Sequence, residues 1–261
     1  MIRFAVAFAA SLLLGSCAMT SQVPPAVRAE LAPAGKLRAG INYGNFLLVG
    51  KDAPDGSPRG IAPDLAREIA KRLGVEIEWV RYDAAGKLAD GVRSAAWDIA
   101  FLGNEPQRAN EISFSEAYLE IPVTALVPAG SKIATLADID QTGVRIAVAV
   151  KSAYDLYLSR TLKHATLVRV EGIEGSYQAF ISQKLDALAG LKPRLVQDAA
   201  KNPGSRVLDG QFTGVQQSIG APKGRDAAAA YLRAFAAEAR SSGMVARLIE
   251  EHGARGVTVP Q

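Results

Sequence analysis

Cysteine is nearly absent: the 261 residues contain one, Cys17, near the N-terminus. The rest of the chain has no thiol for a disulfide, a thiolate nucleophile or a cysteine-based zinc site. Histidine is almost as scarce, with only His164 and His252, which argues against a His-rich metal site and His-dependent catalysis. No cofactor or metal is expected. A dominant charge is missing too. The 30 basic and 26 acidic residues are interspersed, for a net charge of +4, without the basic stripe that a phosphate backbone requires, so nucleic acid is not an expected partner and small anions remain open. What is present, 49% hydrophobic and 21% charged residues with 24 glycines and 13 prolines, is an ordinary globular composition that excludes disorder, collagen and coiled coil. This length makes one large domain or two lobes, and either buries a core without disulfide or structural metal.

The N-terminus carries a distinct signal. Arg3 precedes an apolar run, Phe4 to Leu14, too short to span a bilayer comfortably, followed by Gly15, Ser16 and Cys17, the order of a signal peptide. Leu14-Gly15-Ser16-Cys17 resembles a bacterial lipobox, in which the cysteine is acylated and becomes residue one after cleavage. The expectation is a signal peptide over 1–16, lipidation at Cys17, a polar, proline-containing tether over 17–34, and a body outside the cytoplasm held to the membrane by lipid alone.

From Lys36 short apolar runs alternate with amphipathic helical patterns. Strands are expected at 36–43, 75–82, 98–102, 121–127, 145–150, 166–170 and 186–191. Helices are expected at 63–73, 84–95, 136–139, 154–163 and 176–185, and two more close the chain at 226–241 and 244–252. Strands separated by helices favour mainly parallel sheets with ligands at the strands' carboxyl ends.

An ordered set of short motifs runs through this pattern: Lys36-Leu37-Arg38-Ala39-Gly40, Gly60-Ile61-Ala62-Pro63-Asp64-Leu65-Ala66, Trp97-Asp98-Ile99-Ala100-Phe101 leading to Pro106-Gln107-Arg108, Phe114-Ser115 with Tyr118, Lys184-Leu185-Asp186-Ala187, and Ile219-Gly220-Ala221-Pro222-Lys223-Gly224. Together they resemble the bacterial extracellular solute-binding proteins of family 3, which include receptors for polar amino acids in ABC uptake systems. The resemblance implies a type II periplasmic binding protein fold: two α/β lobes, each a mainly parallel sheet flanked by helices, joined by two crossing hinge strands. It places the first lobe at 35–122 and 219–261 and the second at 123–218, in a monomer that closes over its ligand and delivers it to membrane permease subunits.

In that frame Arg108 is the principal candidate. It follows a strand end, where a guanidinium offers two parallel donors to a carboxylate, and the resemblance implies that it grips the ligand's carboxylate. Glu105, three residues earlier, is a possible partner for it. Ser152 is expected to cap a helix of the second lobe and to supply ligand contacts there. Asn42, Tyr43 and Asn45 follow the first strand, and Phe101, Gly103 and Asn104 the strand before Arg108. Trp79, Trp97, Asp98 and Asp186 are assigned to structure.

One departure concerns the ligand. Amino-acid-binding members carry an aspartate for the α-ammonium a few residues after Leu-Asp-Ala, where this chain has Leu191 followed by Lys192. Either another acid such as Glu105 substitutes, or the ligand is an organic acid without an ammonium; Lys192 either faces the cleft or is a solvated strand-end lysine. Three functions follow: an importer's binding lipoprotein acting without chemistry, a periplasmic dehydratase of a carboxylated ring compound, and a sensory binding module.

Overall fold

The computed structural model describes residues 23–261. The signal segment 1–16 and the lipidation site Cys17 lie outside the described residues. Ten strands are β1 (Lys36–Asn42), β2 (Glu76–Tyr82), β3 (Ile99–Gly103), β4 (Ile112–Phe114), β5 (Leu119–Val127), β6 (Arg145–Ala149), β7 (Thr166–Val170), β8 (Ala187–Leu191), β9 (Arg206–Val207) and β10 (Thr213–Pro222). The α-helices are α1 (Pro25–Leu31), α2 (Ile61–Leu73), α3 (Ala85–Asp90), α4 (Ala153–Thr161), α5 (Gly172–Ser182), α6 (Lys192–Lys201), α7 (Asp226–Ser241) and α8 (Met244–Glu251).

Hydrogen bonding links the strands in one path, β2-β1-β3-β10-β5-β8-β6-β7. At one end β2, β1 and β3 are parallel; at the other β8, β6 and β7 are parallel. Between them run the two longest strands, β5 and β10, antiparallel to each other from Leu119–Gln217 to Val123–Thr213. Beyond that shared stretch β10 continues against β3 and β4, and β5 against β8 and β9. The two lobes are thus joined by strands that pair with each other, making one curled sheet rather than two separate ones.

Helix α2 shows how local sequence fixes the packing. Ile61, Leu65, Ile69 and Leu73, with Ala62, Ala66 and Ala70, form one buried face, the 3.6-residue spacing of an amphipathic helix. Gly74 ends it in the left-handed conformation, φ 64°, which costs glycine nothing. The expected helix over 84–95 is shorter, α3 followed by a 3-10 turn over Gly91–Ser94. There the Trp97 indole, fully buried, donates to the Leu88 carbonyl at 2.9 Å.

Two expectations need correction. The segment expected to be a tether becomes a packed helix from Pro25, which stands in its first turn where its missing N–H costs nothing. Val27 and Leu31, four residues apart, are buried, while Glu30 accepts from the Ala228 N–H and the Arg225 guanidinium, each at 2.8 Å, so α1 is fastened to α7. Lys192, expected either to face the cleft or to be a solvated strand-end lysine, directly follows β8 as the first residue of α6, with Pro193 behind it.

Within the first lobe, Asp98 ties distant parts of the chain together. Its fully buried carboxylate accepts from Arg38 on β1, at 2.7 and 3.0 Å, and from Arg225 before α7 at 2.8 Å. Burial pushes its pKa up, but these hydrogen bonds outweigh that and hold the carboxyl below the usual range.

Candidate functional site between the lobes

The carboxyl ends of β1, β3, β6 and β8 converge on one cavity of about 50 Å³, closed at the hinge by β10. From the first lobe come Asn42, the last residue of β1, Asn45 in the turn after it, and Phe101 and Gly103 at the end of β3. Asn42 Oδ1 accepts from the Gly44 N–H at 2.9 Å and Asn45 Oδ1 from the Leu47 N–H at 3.3 Å, local turns typical of asparagine that leave their amide N–H₂ groups as donors. Phe101 is set by an edge-to-face contact with Tyr118, 6.2 Å between centroids.

Arg108 lies in the wall, on a 3-10 turn after β3. Its two Nη groups donate to the Gly103 carbonyl at 2.7 Å and, across the lobe boundary, to the Lys151 carbonyl at 2.8 Å, while Nε is buried without a partner. Burial pulls its pKa down to about 10, opposed by the fields of Glu105 and Asp90. The guanidinium therefore stays charged at neutral pH, and no described carboxylate forms an ion pair with it.

From the second lobe come Ala149 at the end of β6, Val150 and Ser152 after it, Ile173 at the start of α5, and Leu191 at the end of β8. Ser152 caps α4, its hydroxyl accepting from the Asp155 N–H at 3.1 Å, and Asp155 returns a carboxylate to the Lys151 N–H at 2.8 Å. Tyr154 is buried beside it, and burial raises its phenol to about 12. The hinge supplies Val215 and Gln217 from β10.

The structure thus brings Asn42, Asn45, Phe101, Gly103, Arg108 and Ser152 around one cavity and places three other sequence candidates elsewhere. Tyr43 turns away, its hydroxyl donating to Asp52 at 2.6 Å and its ring lying under Arg81. Asn104 is exposed and does not line the cavity. Lys192 lines a separate apolar groove with Phe46, Pro122 and Val196. Glu105, the suggested substitute for a missing acid, is buried against Arg160 at 2.8 Å rather than facing the ligand space. Sequence reasoning missed Val215 and Gln217 because β10 was not read as a strand; Val150 and Ile173 were findable by applying the strand-end rule to the second lobe.

Outside the cavity the lobes are held by ion pairs: Lys87 with Glu171 at 2.5 Å, Lys151 with Asp90 at 2.6 Å, and Arg160 with Glu105. At Gly86 the backbones nearly touch; a Cβ there would stand 2.7 Å from Lys151 Cβ. Among the described residues no group of three or more His, Cys, Asp or Glu side chains could hold a metal ion, and no helix is long and apolar enough to cross a membrane.

Two α/β lobes joined by paired crossing strands, with a cavity at the strand ends between them, define a two-lobed binding protein of the periplasmic type. The chain belongs to the bacterial extracellular solute-binding proteins, family 3, which its residues 42–255 match. A glutamine-binding protein of Geobacillus stearothermophilus is 25% identical over 198 residues, 74% of this chain and 75% of that protein. Among solved structures, a mutant of ArgBP from T. maritima has a TM-score of 0.72 at 22% identity, covering 88% of this chain and 100% of that one. A putative ABC transporter binding component from Wolinella succinogenes, complexed with lysine, has a TM-score of 0.70 at 23% identity, covering 84% and 95%. The ancestral amino acid-binding protein AncCDT-1, a precursor of cyclohexadienyl dehydratase, has a TM-score of 0.69 at 23% identity, covering 86% and 98%. At these identities the structures establish the fold alone.

Proposed function

We propose that this chain is the substrate-binding lipoprotein of an ABC importer. It takes a polar amino acid or a related small carboxylate between lobes 35–122 with 219–261 and 123–218, and presents it as a monomer to permease subunits. The observation that carries this reading is Arg108, a buried guanidinium in the cavity wall with no carboxylate of its own. A charged group in that setting is stabilised by an anion that brings bidentate, charge-assisted hydrogen bonds. Family membership and relatives that bind glutamine or lysine support the transport role; the Leu14-Gly15-Ser16-Cys17 motif supports the anchor. Ligand contact on both lobes would favour the closed form. The titratable groups of the lining other than Arg108 are Asp83, exposed and paired with Lys87, and Tyr154, whose raised pKa makes it a poor proton donor. Binding needs neither, and no observation favours dehydration chemistry.

A thermal-shift screen of amino acids and small organic acids identifies a ligand, and calorimetric titration then tests the assignment. Arg108→Ala, shown to be folded by circular dichroism, should lose roughly 2 to 5 kcal/mol of binding free energy, and Arg108→Lys should recover part of it, keeping the charge but not the planar fork. Binding by Arg108→Ala within about twofold of wild type, under roughly 0.5 kcal/mol, would remove the residue from the site.

A further inference from the structure

The charges around the cavity select among carboxylates. Its lining holds one cation, Arg108, and one acid, Asp83. The Asp83 side chain is 72% exposed and engaged by Lys87 at 3.1 Å. Asp83 shares Lys87 with Glu171 at the exposed rim, and the other neighbouring carboxylates are each engaged: Glu105 by Arg160, Asp90 by Lys151, and Asp155 by Arg169 at 2.9 Å. An α-amino acid seated with its carboxylate on Arg108 therefore places its ammonium among apolar side chains such as Phe101, Leu191 and Val215, with no buried carboxylate in the lining to pair it. That leaves an unpaired buried charge, which is costly. A carboxylate without an ammonium pairs with the buried guanidinium and brings no second charge into the apolar part of the cavity.

The uncharged polar groups agree. Gln217, 5% exposed in the hinge wall, has Oε1 buried with no donor, which suits a hydroxyl or amide N–H but does not neutralise a cation. The asparagines offer donors, their oxygens being occupied by backbone N–H groups.

We infer that the cleft selects small monocarboxylates lacking an ammonium, such as 2-hydroxy and 2-oxo acids, over α-amino acids of the same carbon skeleton. This rests on the carboxylate reading of the cleft given above. The test is calorimetric titration of the full chain at neutral pH with matched sets: L-alanine, L-lactate and pyruvate, then L-leucine, 2-hydroxy-4-methylpentanoate and 4-methyl-2-oxopentanoate. In at least one set the ammonium-free acid should bind about tenfold or more tighter than its amino partner. An amino acid that binds as tightly as its ammonium-free partners in every set where binding occurs overturns the inference while leaving the carboxylate reading intact. No binding by any member of either set, with wild type folded, overturns both. Leu191, buried in the lining at the end of β8, provides a second arm: Leu191→Asp supplies the missing anion and should reverse the preference toward the amino acid. A folded Leu191→Asp that keeps the wild-type order of affinities counts against the inference; should the variant not fold, the wild-type ratios decide alone.

Discussion

The two lobes are joined by different physics on the two sides of the cavity. At the hinge, β5 and β10 share a backbone ladder lined by fully buried side chains such as Ile121 and Val123. Beyond the cavity, the contacts are ion pairs whose cations remain in water; in the Lys87–Glu171 pair both side chains are about half exposed, whereas Glu105 is buried against Arg160. The ladder contributes equally to open and closed states, because it lies at the axis of the proposed motion. The ion pairs exist only when the lobes meet, and pairs of this kind contribute little each. Fold stability therefore resides in the hinge and closure in weak contacts, a division that lets a modest ligand preference shift the population.

The contrast can be broken at its strong end first. Ile121→Ala removes a fully buried side chain opposite Val215 and should cost about 2 to 5 kcal/mol in urea unfolding; a loss below about 1 kcal/mol would show that the hinge is not the stabilising element. Next, Asp98→Asn weakens an ion pair inside one lobe and should cost about 2 to 3 kcal/mol, below the usual figure for a fully buried pair because both arginines still reach water. Its sign with pH is fixed. The Asp98 carboxyl is held below its ordinary value, so its contribution is complete above about pH 4 and is lost as pH falls through the lowered value. The difference between wild type and Asp98→Asn should shrink in acid. A constant difference from pH 7 to pH 2 would refute that account.

Between the lobes effects are smaller. Glu105→Gln removes the buried partner of a half-exposed Arg160, which can turn to solvent, and should change unfolding stability by about 1 to 2 kcal/mol. Lys87→Gln, at the most exposed pair, should leave the unfolding midpoint unchanged yet enlarge the ligand-free radius of gyration in small-angle scattering as the closed population falls. A shifted midpoint with no change in size would reverse the roles assigned to the two sides.

What the sequence made legible follows the physics of each element. Strands β6 and β8 are short apolar runs, β1, β2 and β7 mix β-formers with charged residues between breakers, and α2 has an unambiguous stripe; these could be read directly. Strand β10 could not, because Gly214, Gln216, Gln217 and Ser218 look like loop residues and are held in a strand by pairing with β5, a contact about a hundred residues away in sequence that local pattern does not encode. Helix α6 was hidden by Lys192-Pro193, although proline in a first turn is a starting signal, and α1 by Pro24-Pro25, although the Val27–Leu31 spacing was present. The site divides likewise. Arg108, Ser152 and the residues at the ends of β1 and β3 follow from strand-end logic, whereas the direction in which Tyr43 points depends on Asp52 and Arg81, which only the fold brings near.

Gly86 gives the lobe boundary a mechanical meaning. With a Cβ at 86 only 2.7 Å from that of Lys151, the shut position is gauged by the absence of one methyl group. Alanine there would act as a doorstop, holding the jaws ajar by pressing on the residue whose carbonyl accepts from Arg108. The tightness of the seal, and with it how long a ligand stays inside before being handed on, could then be adjusted in steps of a single carbon.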